Sequence, residues 1–311
     1  MKLALLNLLC ITAVLISLNA KAQEPVGGFN SLLIGHSFFR PYAELMPDYV
    51  PAAGIAGHSQ TIVFSGGASG TPEALWNNAS KKLAITNALD TGDVELFGMT
   101  YHPDYPNTTG YFNWINYALD KNPSTRIFVA LPWIPEPSNY EDELYEYIWE
   151  EYKPSWHSFI DQLRFLFPST DIFCIPYGQS AVELRKHYTA GDLPEVTAMQ
   201  GAKSTSIFTD KLGHPGNVLI DQGILVWLSA IYDVDLSNYS YGPTYSMDLK
   251  LTAHSIMSNH DSDYNAAYLV DSDVDGVGDR IDNCPLIKNA GQLDTSGSGR
   301  GDACEGLPPG C

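Results

Sequence analysis

Short apolar runs alternate with longer amphipathic stretches along the chain. Runs of this kind are typical of parallel strands that are buried between two layers of helices. The runs predicted as strands are 32–35, 60–64, 93–100, 126–131 and 171–175. The predicted helices are 39–50, one that begins at Pro72 behind the cap Thr71, 111–119, 141–167 with a break at Pro154, and 217–231. Strands that alternate with helices five times predict an α/β fold with a three-layer parallel sheet.

The first apolar run ends abruptly in Gly35-His36-Ser37. The glycine allows a sharp turn, which places the Ser37 hydroxyl at the carboxyl end of the strand, where open α/β sheets bind ligands. A later short loop supplies Asp210 and His214, and a serine becomes a nucleophile when an imidazole oriented by a carboxylate takes its proton. Taken alone, Ser37 and His214 would each suit a helix cap. Their pairing is what favours a catalytic serine.

Two loops are predicted near the same end of the sheet. The glycine-rich loop 65–70 leads into a helix, and its N–H groups suit an oxyanion hole, although most loops of this kind are only turns. The loop 101–106 contains His102 between two tyrosines. It predicts either the lining of a pocket or an aromatic loop that packs on its own prolines.

The order of these motifs over residues 30–232 resembles the SGNH (GDSL-like) hydrolase superfamily. The resemblance implies a flavodoxin-like sheet, with Ser37 as nucleophile, His214 as general base and then acid, and Asp210 as the carboxylate that orients His214. It also implies that Gly70, or failing it Gly67, donates a backbone N–H to the oxyanion together with the N–H of Ser37.

The chain departs from the family pattern at three places. Thr100 stands where the family has an oxyanion asparagine, so the third donor would be Thr100 itself, His102 or Asn107. Loss of such a donor costs on the order of 10²–10³ in rate. Asp210 and His214 are separated by one residue more than is common in the family. The residue before the serine is His36 instead of aspartate, and we expect it to tune the pocket.

The tail alternates aspartates with small residues and glycines, a pattern that suits a hard cation such as Ca²⁺. It resembles a thrombospondin type 3 repeat, which implies a calcium-ordered module with a Cys284–Cys304 disulfide in place of a hydrophobic core. A disordered acidic linker is the alternative. Ser296 and Ser298 replace two expected aspartates, so the second site is expected to be weak or absent. The candidate ligands are Asp271, Asp273, Asp275, Asp279, Asp282, Asp294 and Asp302.

The net charge and the amino-terminal segment limit the classes of function that the sequence allows. The 311 residues carry a net charge of −19, which disfavours nucleic acids and anionic membranes as partners. Residues 1–22 have a charged start, an apolar stretch and a small-residue cleavage site, which predict a signal peptide and export. No other segment is long and apolar enough for us to expect a membrane span. Export permits disulfides. Cys174 is predicted as a buried strand thiol, and Cys10 and Cys311 are left without a predicted partner.

These observations predict an SGNH-like domain at 23–240, a linker at 241–270 and a calcium-binding repeat at 271–311. We expect a secreted serine esterase, whether extracellular, at the cell surface or periplasmic, that removes acetyl groups from carbohydrate or related small esters. Polysaccharide is one candidate substrate, and calcium is the expected structural cofactor, with none needed for catalysis. The alternative is an SGNH-like adhesion protein that binds glycans without turnover and uses the tail as a calcium-stiffened spacer.

Overall fold

A computed structural model describes residues 27–103, 105–279 and 281–307. The predicted signal peptide 1–22, Cys10 and Cys311 lie outside these residues. The strands are β1 Asn30–Gly35, β2 Ser59–Phe64, β3 Leu96–Thr100, β4 Arg126–Ala130, β5 Ile172–Ile175, β6 Ala198–Gln200 and β7 Ser206–Phe208. The helices are α1 Arg40–Ala52, α2 Pro72–Asn77, α3 Ala79–Leu89, α4 Thr109–Lys121, α5 Asp142–Leu166, α6 Gln179–Ala190, α7 Asn217–Tyr232 and α8 Leu249–Ser258.

The five predicted strands form one parallel sheet in the order β2-β1-β3-β4-β5. Leu33 in β1 pairs with Ile62 in β2 on one side and with Gly98 in β3 on the other. This order is that of flavodoxin-like folds, so the α/β prediction is confirmed. The chain reverses its direction across the sheet between β1 and β3. Ligand sites of such sheets lie outside the carboxyl ends of the strands at this point.

Helices cover the sheet in two groups. α1 packs against α7, whereas α4 packs against α2, α3 and α5. The predicted cap of α2 is confirmed, because the Thr71 side chain accepts a hydrogen bond from the Ala74 N–H. Trp227 in α7 contacts the rings of Phe39 and Phe128, which shows how the last helix of the predicted fold closes over the sheet.

The prediction that Pro154 breaks the long helix is wrong. α5 runs without interruption from Asp142 to Leu166. A proline inside a helix costs about 3 kcal/mol, but each buried large apolar side chain contributes roughly 1.5–3 kcal/mol. Trp149 and Trp156 lie on either side of Pro154, both buried, with ring centroids 4.5 Å apart. Their burial outweighs the cost of the proline and keeps the two halves in register.

The stretch predicted as a linker, 241–270, contains helix α8 and packs against the domain. Asp248 caps α8 by accepting hydrogen bonds from the N–H groups of Lys250 and Leu251, and the helix lies against α7. Further on, the carboxylate of Asp171, at the amino end of β5, accepts a hydrogen bond from the Ala267 N–H at 3.0 Å. The apolar residues of this stretch therefore pack into the hydrophobic core of the domain, and the stretch is not a solvent-exposed linker.

The tail is cross-linked by a disulfide between Cys284 and Cys304, as predicted. The tail joins the domain at the turn where the Asp279 N–H donates a hydrogen bond to the carbonyl of Val270 at 2.8 Å. The predicted strand thiol Cys174 lies buried in β5. In the part of the chain that the structure describes, no helix combines the length and apolar character needed to span a membrane.

Candidate active site

Ser37 stands in the turn that joins β1 to α1. The carbonyl of His36 accepts hydrogen bonds from the N–H groups of Phe39 and Arg40, at 3.1 and 3.0 Å, which closes the turn directly behind the serine. The helix then starts at once, because Pro41 suits its first turn. The sequence thus fixes Ser37 at the carboxyl edge of the sheet, between β2 and β3.

The loop that contains Asp210 and His214 follows β7, a strand of three residues that pairs with β6, outside the five-stranded sheet. The loop closes on itself: the Thr209 N–H donates to the His214 carbonyl at 2.7 Å. Oδ1 of Asp210 accepts from the N–H groups of Gly213 and His214, at 3.1 and 3.2 Å. Gly213 has a φ of +93°, a conformation that glycine adopts without strain. This turn absorbs the additional residue between the acid and the histidine.

The three side chains form a continuous hydrogen-bond relay. Ser37 Oγ lies 2.8 Å from His214 Nε2, and His214 Nδ1 lies 2.6 Å from Asp210 Oδ2. A carboxylate only accepts, so Nδ1 carries the proton and Nε2 is left to accept from the serine hydroxyl. Both distances are within the range for proton transfer.

Asp210 is held in its charged form. Partial burial raises the pKa of its carboxyl, but the hydrogen bonds from the His214 ring and from the two backbone N–H groups outweigh burial and leave the pKa below its ordinary value. The carboxylate therefore stays ionised at neutral pH. It can both fix the tautomer of His214 and stabilise the imidazolium that forms when the serine loses its proton.

A cavity of about 270 Å³ opens over Ser37. Its walls are mainly apolar, and Trp133 stacks on Phe38 with ring centroids 4.7 Å apart. The Trp133 indole N–H donates to the Gly213 carbonyl at 2.9 Å, so the same side chain supports the histidine loop. The lining residues are His36, Ser37, Phe38, Gly67, His102, Pro103, Pro132, Trp133, Pro135, Glu136, Leu212 and His214.

The sequence reasoning missed the loop 132–136, which supplies Trp133 and Glu136 to the cavity. The signal was present in the sequence. Pro132 follows closely behind the fourth apolar run, and the carboxyl ends of parallel strands share one edge of the sheet. Any residue directly behind β4 was therefore a candidate for the site.

Of the two oxyanion glycines, Gly67 lines the cavity and Gly70 does not. Gly70 is buried beneath the turn, where an added Cβ would lie 2.5 Å from the Ser65 carbonyl oxygen and 2.6 Å from that of Gly35. Its small size allows the glycine loop to approach β1. The preference for Gly70 over Gly67 as the oxyanion donor is therefore not supported by their positions.

Thr100, the expected third donor, is fully buried and is not among the residues that line the cavity. Its Oγ1 lies 3.1 Å from Nε2 of His36. His36 Nδ1 accepts from the Phe38 N–H at 3.2 Å, so the ring proton is on Nε2, which lies 3.2 Å from the Tyr101 carbonyl. Thr100 and His36 thus join the ends of β1 and β3. Burial lowers the pKa of His36 to about 4, which keeps the ring neutral at neutral pH.

The tail contains a candidate metal centre. Carboxylate oxygens of Asp271, Asp273 and Asp275 lie within 4.8 Å of one another. Within the described residues, both side-chain oxygens of Asp273 and one of Asp282 are buried without a hydrogen-bond partner. Burial, followed by the neighbouring charges of Asp275, Asp282 and Asp271, raises the pKa of Asp273. Four carboxylates that repel one another around unpaired oxygens fit a bound cation.

The other three predicted ligands lie outside this group of carboxylates, and each accepts hydrogen bonds within its own turn. Asp279 accepts from both the N–H and the hydroxyl of Ser272, and Asp302 accepts in the same way from Thr295. The carboxylate of Asp294 accepts from backbone N–H groups of its own loop, which lowers its pKa. Asp271 and Asp275 also accept hydrogen bonds from backbone N–H groups of the tail, so such bonds alone do not exclude a ligand. The difference is one of position, because among the described residues the only group of carboxylates that the structure brings together is that of Asp271, Asp273 and Asp275.

Comparison with known proteins gives a likeness of fold. No protein-family model matches the chain, and no curated protein sequence does. A DUF4886 family protein from Bacteroides uniformis is similar in structure, with a TM-score of 0.50 and 14% identity over 75% of this chain and 95% of that one. Two weaker likenesses are a family 3 carbohydrate esterase of Clostridium thermocellum and the periplasmic domain of a lipopolysaccharide acetyltransferase of Salmonella ser. Paratyphi A.

The weaker two have TM-scores of 0.40 and 0.37. The esterase is 16% identical over 67% of this chain and 96% of its own. The acetyltransferase domain is 12% identical over 65% of this chain and 83% of its own. The first likeness shows a shared fold, and the other two are too distant to support a shared activity.

Proposed function

We propose that this chain is a serine esterase of the SGNH type. The observation that carries the proposal is the relay from Ser37 through His214 to Asp210, which opens into a cavity. Ser37 Oγ attacks the ester carbonyl as its proton passes to His214 Nε2. The tetrahedral intermediate collapses, and His214 returns that proton to the leaving alcohol. Water, activated by His214 in turn, then cleaves the acyl-enzyme and restores the serine.

The cavity supports short acyl esters of neutral alcohols as substrates. About 270 Å³ accommodates an acetyl group with part of its alcohol, and the walls from Phe38, Trp133 and Leu212 are apolar. Glu136 places a carboxylate in the wall, and the net charge of −19 repels polyanions. We therefore propose acetylated neutral carbohydrate as the substrate class. The Cys284–Cys304 disulfide supports the proposal that the protein is exported.

The test is covalent capture of the nucleophile. The chain without residues 1–22 is treated with a fluorophosphonate, whose phosphorus an activated serine attacks with loss of fluoride. We expect one adduct, on the peptide that contains Ser37, and saturable hydrolysis of p-nitrophenyl acetate. A variant with His214→Ala should be labelled far more slowly. Labelling at the same rate in wild type and in this variant would contradict the proposal.

The alternative from the sequence, an adhesion protein without turnover, has a distinct outcome in the same experiment. It predicts a folded chain that is retained on polysaccharide and is not labelled at Ser37. The intact relay supports the esterase, since a binding protein has no need of an imidazole held in the tautomer that accepts a serine proton.

We further propose that the tail binds Ca²⁺ through Asp271, Asp273, Asp275 and Asp282. The unpaired buried oxygens of Asp273 and Asp282 support it, since a hard cation prefers oxygen ligands and would neutralise carboxylates that otherwise repel. The ion would hold the acidic loop in its tight wrap. Its place is structural, and no step at Ser37 involves it.

Calcium titration should therefore give one equivalent per chain. Isothermal titration calorimetry on protein freed of metal with EDTA measures the stoichiometry. Asp273→Asn is expected to weaken binding by about tenfold or more, since affinity depends on the number of charged ligands. Asp294→Asn, whose carboxylate holds a turn, serves as the matched control and should keep both stoichiometry and affinity. Two equivalents in wild type would show that the second loop also binds and would contradict the assignment.

A further inference from the structure

Strand pairing does not by itself bring the two halves of the relay together. Ser37 stands behind β1 of the five-stranded sheet, whereas Asp210 and His214 lie in a loop behind β7, which pairs with β6 outside that sheet. Yet Ser37 Oγ and His214 Nε2 are 2.8 Å apart. We propose that Trp133 is the positioning residue that holds His214 at this distance. This inference rests on the esterase function proposed above.

Trp133 is anchored at the carboxyl edge of the sheet. It stands shortly behind β4, where the N–H of Leu131 donates to the carbonyl of Ile175 in β5 at 2.9 Å. An added Cβ on Gly178 would lie 2.5 Å from the backbone nitrogen of Trp133, so the loop behind β5 packs directly against it. Trp133 is only 1% exposed. Its place is therefore fixed by the ends of two strands of the sheet.

From this place the indole of Trp133 reaches the histidine loop. Its N–H donates to the carbonyl of Gly213 at 2.9 Å, and Gly213 is the residue directly before His214. A second bond joins the same two loops, because the N–H of Glu136 donates to the carbonyl of Leu212 at 3.1 Å. Two hydrogen bonds thus connect the loop behind β4 to the loop that contains the base.

The ring of Trp133 also contacts the nucleophile turn. Phe38, the residue after Ser37, stacks on Trp133 with ring centroids 4.7 Å apart. The Phe38 ring in turn meets the His214 ring edge to face, with centroids 5.4 Å apart. Trp133 therefore contacts a neighbour of the nucleophile through its ring and a neighbour of the base through its N–H. Each contact fixes one end of the bond between Ser37 and His214.

Proton transfer depends on this geometry. His214 Nε2 takes the proton only within hydrogen-bond reach of Ser37 Oγ, and a displacement of about 1 Å can cost on the order of 10² in rate. Asp210 and His214 share one loop and are bonded to each other within it. A shift of this loop would separate the base from the serine but leave the base paired with its acid. Trp133 acts through His214 and carries no proton itself.

The experiment measures the rate of fluorophosphonate labelling at Ser37 and kcat for p-nitrophenyl acetate, in the chain without residues 1–22. Trp133→Phe keeps an aromatic ring against Phe38 and removes the N–H, and we expect both rates to fall by about ten- to a hundredfold. Incorporation of benzothienylalanine at position 133 keeps the bicyclic ring and removes only the donor. It should lower both rates as well, although the packing is preserved.

Trp114→Phe is the matched control. The Trp114 indole is buried too and donates to a backbone carbonyl, that of Pro72, at 2.8 Å. Trp114 does not line the cavity over Ser37. The same atoms are removed in both variants, so a loss of stability alone should leave labelling unchanged. We expect Trp114→Phe to be labelled at the wild-type rate.

A double-variant cycle separates positioning from a role in the cavity wall. Because Trp133 acts through His214, Trp133→Phe should lower the residual rate of His214→Ala by less than about twofold. A loss in that background as large as in wild type would overturn the positioning role. Wild-type rates in Trp133→Phe or in the benzothienylalanine protein, beside slow labelling of His214→Ala, would overturn this inference and leave the esterase intact. Absence of labelling at Ser37 in wild type would overturn both.

Discussion

Ser37→Ala is expected to lower kcat for p-nitrophenyl acetate by roughly 10⁴-fold or more, because the covalent route disappears with its nucleophile. The substitution removes one oxygen at the mouth of a cavity, so folding should be unaffected. The 2.8 Å bond to His214 is the only side-chain hydrogen bond of Ser37 among those the structure describes. The measurement is steady-state kinetics beside the circular dichroism spectrum and the thermal unfolding midpoint of both proteins.

His214→Ala should give a loss of the same order, and the double variant should lose little more. The effects of groups that act as one unit are not additive, since either deletion already removes the covalent route through an activated serine. Ser158→Ala, an exposed serine on α5, is the matched control and should keep full activity. Wild type and Ser37→Ala turning over at equal rates would exclude serine catalysis on this ester and favour the glycan-binding alternative.

The sheet could be predicted from the sequence because β1, β3, β4 and β5 are short runs that are buried on both faces. The edge strand β2 is only partly buried, and its β-branched residues indicate it instead. Leu32, Ile34 and Phe97 are wholly buried, and such runs carry the signal in their composition alone. At Pro154 the local preference of the residue gives the wrong prediction of a helix break. Its cost is local and visible in the sequence, whereas the contact of Trp149 with Trp156 that offsets it depends on what α5 packs against.

The relay residues were accessible for a different reason. Ser37 follows β1, so the order along the chain predicts its place at the carboxyl edge of the sheet. Asp210 and His214 share one short loop, which predicts that they lie close to each other, but this loop follows β7, which is not a strand of the five-stranded sheet. The position of the Thr100 side chain could not be predicted from the sequence. Thr100 is the last residue of β3, and its side chain lies against His36, whereas His102, two positions further on in the loop, lines the cavity. Which of the two faces the cavity depends on how the loop leaves the strand.

The tail divides similar aspartates between two roles that the sequence pattern does not distinguish. Asp273 and Asp279 occur in the same acidic run, yet one has unpaired buried oxygens and the other accepts two hydrogen bonds from Ser272. Asp302 and Thr295 repeat the second arrangement. In both cases the serine or threonine that donates to the aspartate stands seven positions before it. The spacing of the aspartates alone does not reveal which of the two roles an aspartate has.

Asp210→Asn is expected to lower kcat by about 10³–10⁴-fold, with KM changed by less than threefold. The amide keeps an oxygen that can accept from the Gly213 and His214 N–H groups, so the loop should retain its shape. What changes is the partner of His214 Nδ1. An amide NH₂ facing Nδ1 favours the tautomer that carries its proton on Nε2, and such an imidazole cannot accept the proton of Ser37.

The exposed pair His187 and Asp192 provides the matched control for this prediction. Its Nδ1–Oδ2 distance is 3.4 Å, and neither residue lines the cavity over Ser37. Asp192→Asn should leave kcat unchanged, although it makes the same chemical change beside a histidine. An Asp210→Asn enzyme with wild-type kcat would show that the additional residue before His214 has separated the acid from catalysis. A loss confined to Asp210→Asn, with an unchanged unfolding midpoint, would show that the turn at Gly213 preserves the acid's role despite the longer spacing.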